Sequence, residues 1–497
     1  MLFNSFDFLI FFPLVCLSYW LLPFRIRRIY LLAASYFFYM CWNPVYALLL
    51  LASTGITYCC GRLLDAAGSG MAEKAGERQR RLIVAVSLIL NLSILFFFKY
   101  FNFAVNSVNK LFSVLHWTTV DVSIDVLLPV GISFYIFQAL GYTIDVYRRE
   151  IKCEKNFLNY ALFVSFFPQL VAGPIERSGN LLRQIRKEQK FKLQNVHQGI
   201  LWMLFGYFQK VVIADNAAIL VNQVFDNYIS YGASELLLAI LLFAVQIYCD
   251  FGGYTNIARG AAKVMGFELM ENFRAPYFAD SVADFWRRWH ISLSGWFRDY
   301  LYIPLGGNRK GRIRKYCNLI TVFLVSGLWH GASWHYVIWG GLNGLYQIIG
   351  DLLKPVRNRL CGILRVDQNS SGHRMIKIGI TFFLINLSWV FFRANSLKEA
   401  LLYLRQMVEN PNPWVILQGG LYELGLSSAK LHMLFLAILV LLVTDIFRYR
   451  QAGLMRLFCS QSIILQYAVC VFFFFWILIC GSYGPGFDAS QFIYFQF

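Results

Sequence analysis

Apolar stretches without charge, separated by short basic clusters, follow one another along this whole chain. The stretches long enough to enter a membrane occupy residues 8–24, 29–61, 82–98, 126–144, 157–175, 193–209, 236–249, 316–350, 378–392, 431–444 and 457–487. Since a spanning helix needs roughly 20 residues, the longest stretches can hold two passes or a re-entrant pair. The pattern predicts an all-α polytopic membrane protein with about ten to twelve membrane segments. No soluble domain or internal repeat is evident, so we expect residues 1–497 to form a single membrane-embedded domain.

The basic clusters set the expected orientation, because Lys and Arg are enriched in cytoplasmic loops. Arg25, Arg27 and Arg28 directly follow the first stretch and place that loop inside. Residues 105–125 and 215–235 contain one basic residue between them, so both are expected outside.

Two apolar stretches lie between basic clusters that should share the inner side. They cover residues 157–175 and 316–350, and we expect both to re-enter the membrane. Non-helical backbone at that depth is tolerated only where it is buried in protein or lines a cavity. Both stretches are therefore expected to point inward, where they are buried in protein or line a cavity.

Residues 250–315 are too polar to span as a whole and too aromatic for a free loop. Trp and Tyr residues alternate there with Arg and Asp. This mixture predicts short interfacial helices with their rings at the depth of the lipid headgroups.

Composition supports a membrane protein and argues against two other classes. Hydrophobic residues make up 58% of the 497 positions and charged residues only 14%, values far from those of a soluble domain. The net charge of +18 does not indicate nucleic-acid binding, because Lys and Arg cluster between apolar stretches. The 11 cysteines include no C-x-x-C pair, so neither a metal site nor a disulfide framework is indicated.

His330 is the strongest candidate for chemistry. Residues 316–350 contain no Asp, Glu, Lys or Arg, and His330 lies near their middle, where we expect the turn of a hairpin. An ionisable side chain within the membrane is costly and indicates function, and histidine suits proton transfer near neutral pH. For His290, at the predicted interface, a hydrogen-bonded packing role and a functional role both remain open.

Other chemistries fit the pattern poorly. His330 and His335 are five residues apart, whereas helical metal ligands favour a spacing of four, and His335 is more typical of a packing residue. Ser292 and Ser294 lack the surroundings of a serine nucleophile, and no phosphate-binding glycine motif follows a strand pattern. A histidine general base without a metal remains.

The basic residues between 287 and 315 have two interpretations. They could bind the phosphates of a donor, or they could mark the cytoplasmic side and contact anionic lipids. Asp250 and Asp284 are expected to pair with neighbouring arginines.

Five motifs occur in order along the chain. They are F-P-Q-L-V-A-G-P-I at 167–175, Y-C-D-F-G-G-Y at 248–254, F-W-R-R-W-H-I-S-L-S at 285–294, W-H-G at 329–331 and W-V-F-F-R-A at 389–394. Together they resemble the membrane-bound O-acyltransferase family. The resemblance is strongest to its bacterial branch that acetylates alginate and related polysaccharides, and the proteins of teichoic-acid D-alanylation are also similar.

The resemblance implies that His330 is catalytic and that His290 is the second signature position. It further implies a substrate-binding set made up of Trp329, Trp286, Arg287, Arg288, Trp289, Ser292 and Asp250. His330 would take the proton of the acceptor hydroxyl, and His290 would orient the donor or stabilise the oxyanion. A transient acyl-histidine is left open.

The resemblance also implies that the re-entrant helices surround a central funnel or tunnel, and it implies the reactants and the location. An acetyl or other acyl group would pass from a cytoplasmic thioester, acetyl-CoA or a phosphopantetheine carrier, to a hydroxyl of an extracytoplasmic polysaccharide. No bound cofactor is implied. A secreted acyltransferase partner could complete the transfer, and the chain would reside as a multi-pass protein in the bacterial cytoplasmic membrane.

Three alternatives stay open. Two belong to the same family, namely O-acetylation of peptidoglycan and D-alanyl transfer to teichoic acid. The third is a proton-coupled transporter whose buried histidine relays protons. A transporter would favour repeated halves with discontinuous helices in matching positions, and the sequence contains no such symmetry.

Overall fold

The computed structural model describes residues 1–67, 73–450, 453–483 and 493, and every regular element within them is helical. The first ten α-helices are α1 Phe6–Leu21, α2 Phe24–Met40, α3 Tyr46–Ala66, α4 Glu73–Leu95, α5 Phe101–Val114, α6 Ile132–Tyr147, α7 Phe157–Ser165, α8 Phe167–Leu170, α9 Ser178–Arg186 and α10 Leu193–Tyr207. The next six are α11 Asp215–Asp226, α12 Ala233–Val264, α13 Val282–Arg288, α14 Ile291–Phe297, α15 Arg312–His330 and α16 Trp334–Leu352. The last seven are α17 Lys354–Ile363, α18 Ser371–Arg393, α19 Leu397–Glu409, α20 Val415–Gln418, α21 Ser428–Tyr449, α22 Leu454–Cys459 and α23 Ile463–Cys480.

Six shorter elements complete the secondary structure of the described residues. Wider π-helical turns occupy Phe96–Tyr100, Phe208–Ala214 and Arg298–Tyr302, and 3-10 turns occupy Tyr228–Ser230, Pro276–Phe278 and Gly420–Glu423.

Seven helices in the described part of the chain are long and apolar enough to cross a membrane. They cover Tyr46–Ala66, Ala75–Val114, Leu193–Asp226, Ala233–Val264, Ser371–Arg393, Ser428–Tyr449 and Ile463–Cys480. The all-α polytopic class predicted from the sequence is confirmed. The larger count of ten to twelve membrane segments is not confirmed, because α1 and several other apolar helices are shorter than a spanning helix.

The chain divides into two compact units. One contains Met1–Met203 and Ile257–Met270, and the other contains Leu204–Asn256 and Glu271–Phe497. Both histidines of the candidate site belong to the second unit. The sequence-based expectation of one membrane-embedded domain stays a prediction.

Several predicted breaks occur where the sequence indicates them. The stretch 157–175 is interrupted between α7 and α8, one residue before Phe167-Pro168, because proline has no N–H to donate within a continuing helix. The stretch 316–350 forms the antiparallel pair α15 and α16, and α15 ends at His330. His330 therefore lies at the turn of a helical hairpin, as predicted.

One prediction about the middle of the chain is partly wrong. Residues 250–264 are not a short interfacial element, because they continue α12, which has 32 residues. The remainder of that region does contain the short helices α13 and α14, and their position at the membrane interface stays a prediction. The last apolar stretch begins within α22 and contains α23, and its end at 484–487 lies outside the described residues.

Candidate active site

The hairpin of α15 and α16 carries His330, and glycines bring its two helices together. A Cβ atom on Gly340 would overlap the carbonyl oxygen of Phe323, and one on Gly327 would overlap that of Tyr336. Only a hydrogen atom fits at either position. His330 ends α15 and is 3% exposed. Because helices this close leave no room for other side chains, the position of His330 is tightly defined.

His290 occupies an unusual backbone conformation at the start of α14. Its φ of 44° and ψ of 54° are left-handed, which is uncommon for a residue other than glycine and concentrates at functional sites. Asn272 fixes the two residues after His290 by hydrogen bonds. Its carbonyl oxygen accepts from the N–H of Ile291 at 3.0 Å, and its side-chain oxygen accepts from the N–H of Ser292 at 3.2 Å.

The imidazole of His290 is fully buried among aromatic rings. Its ring centre lies 4.7 Å from that of Phe251 and 5.9 Å from that of Trp329. Burial disfavours the charged form and lowers the pKa of His290 to about 3. His290 is therefore a neutral imidazole at neutral pH.

The two histidines lie next to each other in space. Their ring centres are 6.3 Å apart and the ring planes meet at 66°. The His330 ring also meets Trp339 edge to face at 5.1 Å and Phe392 at 5.7 Å. Two motifs that are separate in the sequence thus form one site.

The three tryptophans expected to bind substrate are packed side chains. Trp289 and Trp329 are 1% and 3% exposed and Trp286 is 8% exposed. Trp289 stacks on Phe285 at 5.3 Å, and the indole N–H of Trp286 donates to Asn343 at 3.2 Å. Trp329 packs against both imidazoles, whereas Trp286 packs against Trp339 and Trp289 against Trp389. The predicted contact of the three side chains with substrate stays a prediction.

A cavity of about 400 Å³ begins directly after His330. We call it the turn cavity. Its lining residues are Ala218, Asn222, Phe243, Gln246, Gly331, Ala332, Ser333, His335, Tyr336, Phe392, Arg393, Ala394, Asn395 and Ile493. The side-chain oxygen of Gln246 is buried and has no hydrogen-bond partner among the described residues. His335 accepts from or donates to the hydroxyl of Ser333 at 2.8 Å. The cavity thus offers polar groups beside the catalytic candidate.

A second cavity of about 550 Å³ is lined by arginines, and we call it the arginine pocket. Its residues are Phe278, Asp280, Ser281, Asp284, Arg287, Arg288, Arg374, Tyr449 and Arg450. Asp284 pairs with Arg288 at 2.7 Å and Asp280 pairs with Lys377 at 2.6 Å. Within the described residues no ion pair involves Arg287, Arg374 or Arg450. The pocket therefore has an excess of positive charge.

Comparison with known proteins gives the family. The sequence profile of the membrane-bound O-acyltransferase family matches residues 148–362. The chain is 39% identical over 401 residues to the probable alginate O-acetylase of Pseudomonas putida, which covers 80% of this chain and 79% of that protein. The chain belongs to the membrane-bound O-acyltransferase family.

Two further relatives differ in the acceptors that their names state. The peptidoglycan O-acetyltransferase of Helicobacter pylori is 36% identical over 407 residues, 77% of this chain and 73% of that protein. The teichoic acid D-alanyltransferase of Streptococcus thermophilus is 26% identical over 281 residues, 53% of this chain and 67% of that protein. This membrane-bound O-acyltransferase is therefore an enzyme and a multi-pass membrane protein.

Two carboxylates of the acyltransferase were expected to pair with arginines. The prediction is confirmed for Asp284, whose partner is Arg288. It is wrong for Asp250, which pairs with Lys210 at 2.6 Å, while Lys210 also pairs with Asp215 at 2.7 Å. Lysine reaches Asp250 because the π-helical turn 208–214 places it next to α12. All three side chains are buried, so Asp250 is part of a structural ion cluster in this conformation.

Several polar residues near the site were not identified from the sequence. The spacing of His335 from His330 does not suit a metal and predicts a packing residue, yet His335 lines the turn cavity. Gln246, Asn272 and Asn343 belong to none of the predicted sites. A signal existed for Gln246 and Asn343, which are polar residues within the apolar stretches 236–249 and 316–350.

Proposed function

We propose that this acyltransferase moves an acetyl group from a cytoplasmic thioester to a hydroxyl of an extracytoplasmic polysaccharide, with His330 as general base. The observation that carries this proposal is the position of His330. It is buried beside His290, and the residues that follow it, Gly331 to Ser333, line the turn cavity. The names of the relatives at 39% and 36% identity support an acetyl group and a glycan acceptor.

The proposed reaction needs one base and one exchange of bonds. Neutral His330 accepts the proton of the acceptor hydroxyl while the oxygen attacks the thioester carbonyl carbon. The tetrahedral intermediate then expels the thiolate, and the imidazolium of His330 gives its proton to that thiolate. An O-acetyl ester and a free thiol result. His290, at 6.3 Å between ring centres, is close enough to orient the donor or to stabilise the oxyanion.

The two cavities support access from opposite sides of the membrane. Helix α18 has 23 residues and is about 35 Å long, slightly more than the hydrocarbon thickness of about 30 Å. Arg374 near its first residue lines the arginine pocket, while Phe392 and Arg393 at its end line the turn cavity. We assign the arginine pocket to the cytoplasmic donor side and the turn cavity to the acceptor side, since residues 354–377 are strongly basic.

The charge of the arginine pocket suits the phosphates of the donor. Acetyl-CoA and a phosphopantetheine carrier both present phosphate groups, which guanidinium groups bind with paired hydrogen bonds. Arg287 is exposed and Arg288 is half-buried beside it. No bound cofactor is part of the proposal, because the thioester is a co-substrate.

Peptidoglycan is the second acceptor that a specific observation favours. The peptidoglycan O-acetyltransferase is nearly as similar to this chain as the alginate O-acetylase is. Transfer of D-alanine has less support, because that relative matches only 53% of the chain at 26% identity. In each case we place the enzyme in the bacterial cytoplasmic membrane, where a secreted acyltransferase could take over the acetyl group.

The test compares cells that carry the enzyme, lack it, or carry His330→Ala. We expect surface glycans to lose their O-acetyl esters in the second and third strains, as measured by ester-selective hydrolysis and mass spectrometry of purified polysaccharide and peptidoglycan. His432→Ala is the matched control, because His432 is exposed and bonded only to Tyr422 among the described residues. Full acetylation by His330→Ala would reject the assignment of the base.

Purified enzyme in proteoliposomes separates transferase from transporter. With a radiolabelled acetyl thioester on one side and glycan on the other, we expect labelled ester on the glycan. Free labelled acetate inside the vesicles, without any ester, would support the transporter alternative instead.

A further inference from the structure

An extended segment lies beside helix α5. Residues 117–129 have no regular structure, yet two asparagines of α5 fix their path. Asn109 accepts from the N–H of Val120 at 2.9 Å and donates to its carbonyl oxygen at 2.8 Å. Asn102 makes the same two bonds with Ile124, at 2.9 and 2.8 Å. Each side-chain amide thus binds one residue as a neighbouring β-strand would.

The spacing of these two contacts shows that the segment is extended. Asn102 and Asn109 are about 10 Å apart along the helix axis. From Val120 to Ile124 a strand covers about 13 Å and a helix only about 6 Å. The extended value is the nearer one, and residues 117–129 contain no turn or helix. In such a chain the backbone groups of successive residues point to opposite edges, so one edge faces α5 and the other faces away.

The outer edge consists of Thr119, Asp121, Ser123 and Asp125. Within the part of the chain that the structure describes, their backbone N–H and carbonyl groups make no hydrogen bond with another residue. All four residues are exposed. A strand edge with open backbone groups is a template for pairing with an added strand.

We propose that residues 119–125 are a docking edge for an extended, Lys- or Arg-rich segment of another protein. Main-chain hydrogen bonds would supply the pairing. Asp121 and Asp125 would supply the preference for a basic segment, since opposite charges across a strand pair are favourable. No basic residue lies between 119 and 125, in a chain whose net charge is +18.

The same two aspartates argue against a second copy of this chain as the occupant. Antiparallel pairing centred on Ser123 would place Asp121 of one copy directly opposite Asp125 of the other. Parallel pairing in register would place each aspartate beside its own counterpart. Like charges in these positions are destabilising, so a partner of opposite charge fits better.

The segment lies where an extracytoplasmic protein could reach it. Helix Ala75–Val114 has 40 residues and is about 60 Å long, twice the hydrocarbon thickness. Its charge-free stretch 82–98 accounts for about 25 Å, so α5 and the segment bound to it extend beyond the apolar layer. The scarcity of basic residues in 105–125 assigns this end to the outside.

A peptide experiment on the unmodified protein tests the pairing. The full-length chain in detergent micelles is titrated with a fluorescent nine-residue peptide of alternating valine and lysine, and anisotropy gives the Kd. The same peptide with every backbone nitrogen methylated keeps its charges but cannot pair as a strand. We expect it, and a valine–glutamate peptide, to bind at least tenfold more weakly. Equal binding by the methylated peptide would overturn the proposal.

Two neighbouring proline variants test the edge. Ser123→Pro removes a backbone N–H of the outer edge. Val122→Pro removes a backbone N–H on the edge toward α5, and this N–H makes no hydrogen bond among the described residues. Both leave the asparagine contacts in place. We expect tenfold weaker peptide binding for Ser123→Pro and an unchanged Kd for Val122→Pro. A chain that sediments as a dimer, and becomes monomeric with Ser123→Pro, would overturn the proposal in favour of self-pairing.

Discussion

The ring centres of His290 and His330 lie 6.3 Å apart, although the two residues belong to different helical segments. His330 ends a helix that two glycines press against its neighbour, and His290 adopts a left-handed backbone beside Asn272. A rigid hairpin and a strained turn thus bring the two imidazoles together. Such preorganisation suits a reaction in which a proton must move over a short, fixed distance.

His290→Asn should lower acetyl transfer about 100-fold without unfolding the protein, because Asn tolerates the left-handed backbone while lacking the ring. Transfer from radiolabelled acetyl donor measures the effect. His432→Asn should retain the activity of the wild type. Unchanged activity in His290→Asn would reduce His290 to a packing residue.

The same variant should change how stability depends on pH. The folded pKa of His290 is about 3 and its ordinary value is 6.5, so below pH 6.5 only the unfolded chain binds the proton. Folding stability then falls by up to about 1.4 kcal/mol per pH unit down to about pH 3. Thermal unfolding in detergent at pH 7.5 and pH 5 should show a smaller loss for His290→Asn than for wild type. Parallel losses in both proteins would contradict the buried, neutral histidine.

Arg374→Ala combined with Arg450→Ala should raise the KM for acetyl-CoA about tenfold and leave kcat nearly unchanged. Both guanidinium groups line the arginine pocket, and neither has an ion-pair partner among the described residues. Initial rates over a range of donor concentrations measure the two constants. The control is Arg405→Ala, an exposed arginine paired with Glu409. If the double variant and Arg405→Ala have the same KM for acetyl-CoA, the phosphates of the donor bind outside the arginine pocket.

Gly340→Ala should destabilise the enzyme by about 1–3 kcal/mol, because its methyl group would overlap the carbonyl oxygen of Phe323 in a closely packed hairpin. Gly350 lies on the same helix, and a Cβ atom added there would have no atom within 4 Å. Gly350→Ala should therefore leave the free energy of unfolding unchanged or raise it slightly. Thermal unfolding of both variants in the same detergent makes the comparison. Equal stability would show that the helices can separate without cost.

Lys210→Met should destabilise the protein by about 3–5 kcal/mol, because it leaves Asp215 and Asp250 buried without their cation. Adding Asp215→Asn and Asp250→Asn to Lys210→Met removes the stranded charges. We expect that triple variant to recover much of the lost stability, measured by unfolding in detergent. No recovery would mean that Lys210 acts through packing.

The sequence by itself determined the class, the family and the main chemical candidate. Apolar stretches separated by basic clusters are sufficient to predict a helical membrane protein, since backbone groups in lipid must be satisfied within helices. A histidine in the middle of 316–350 stood out because such a residue is costly there. Proline and glycine also indicated where the stretch 157–175 breaks.

Tertiary structure alone decided what those residues touch. Nothing in the spacing of the two motifs gives the 6.3 Å between His290 and His330, and nothing gives Lys210 rather than an arginine as the partner of Asp250. The roles of Gln246 and Asn272 come from contacts with other chain segments, which the local pattern around each residue does not report. Local patterns report the preference of each segment for helix, water or lipid, whereas a reaction site depends on distances between segments that only packing fixes.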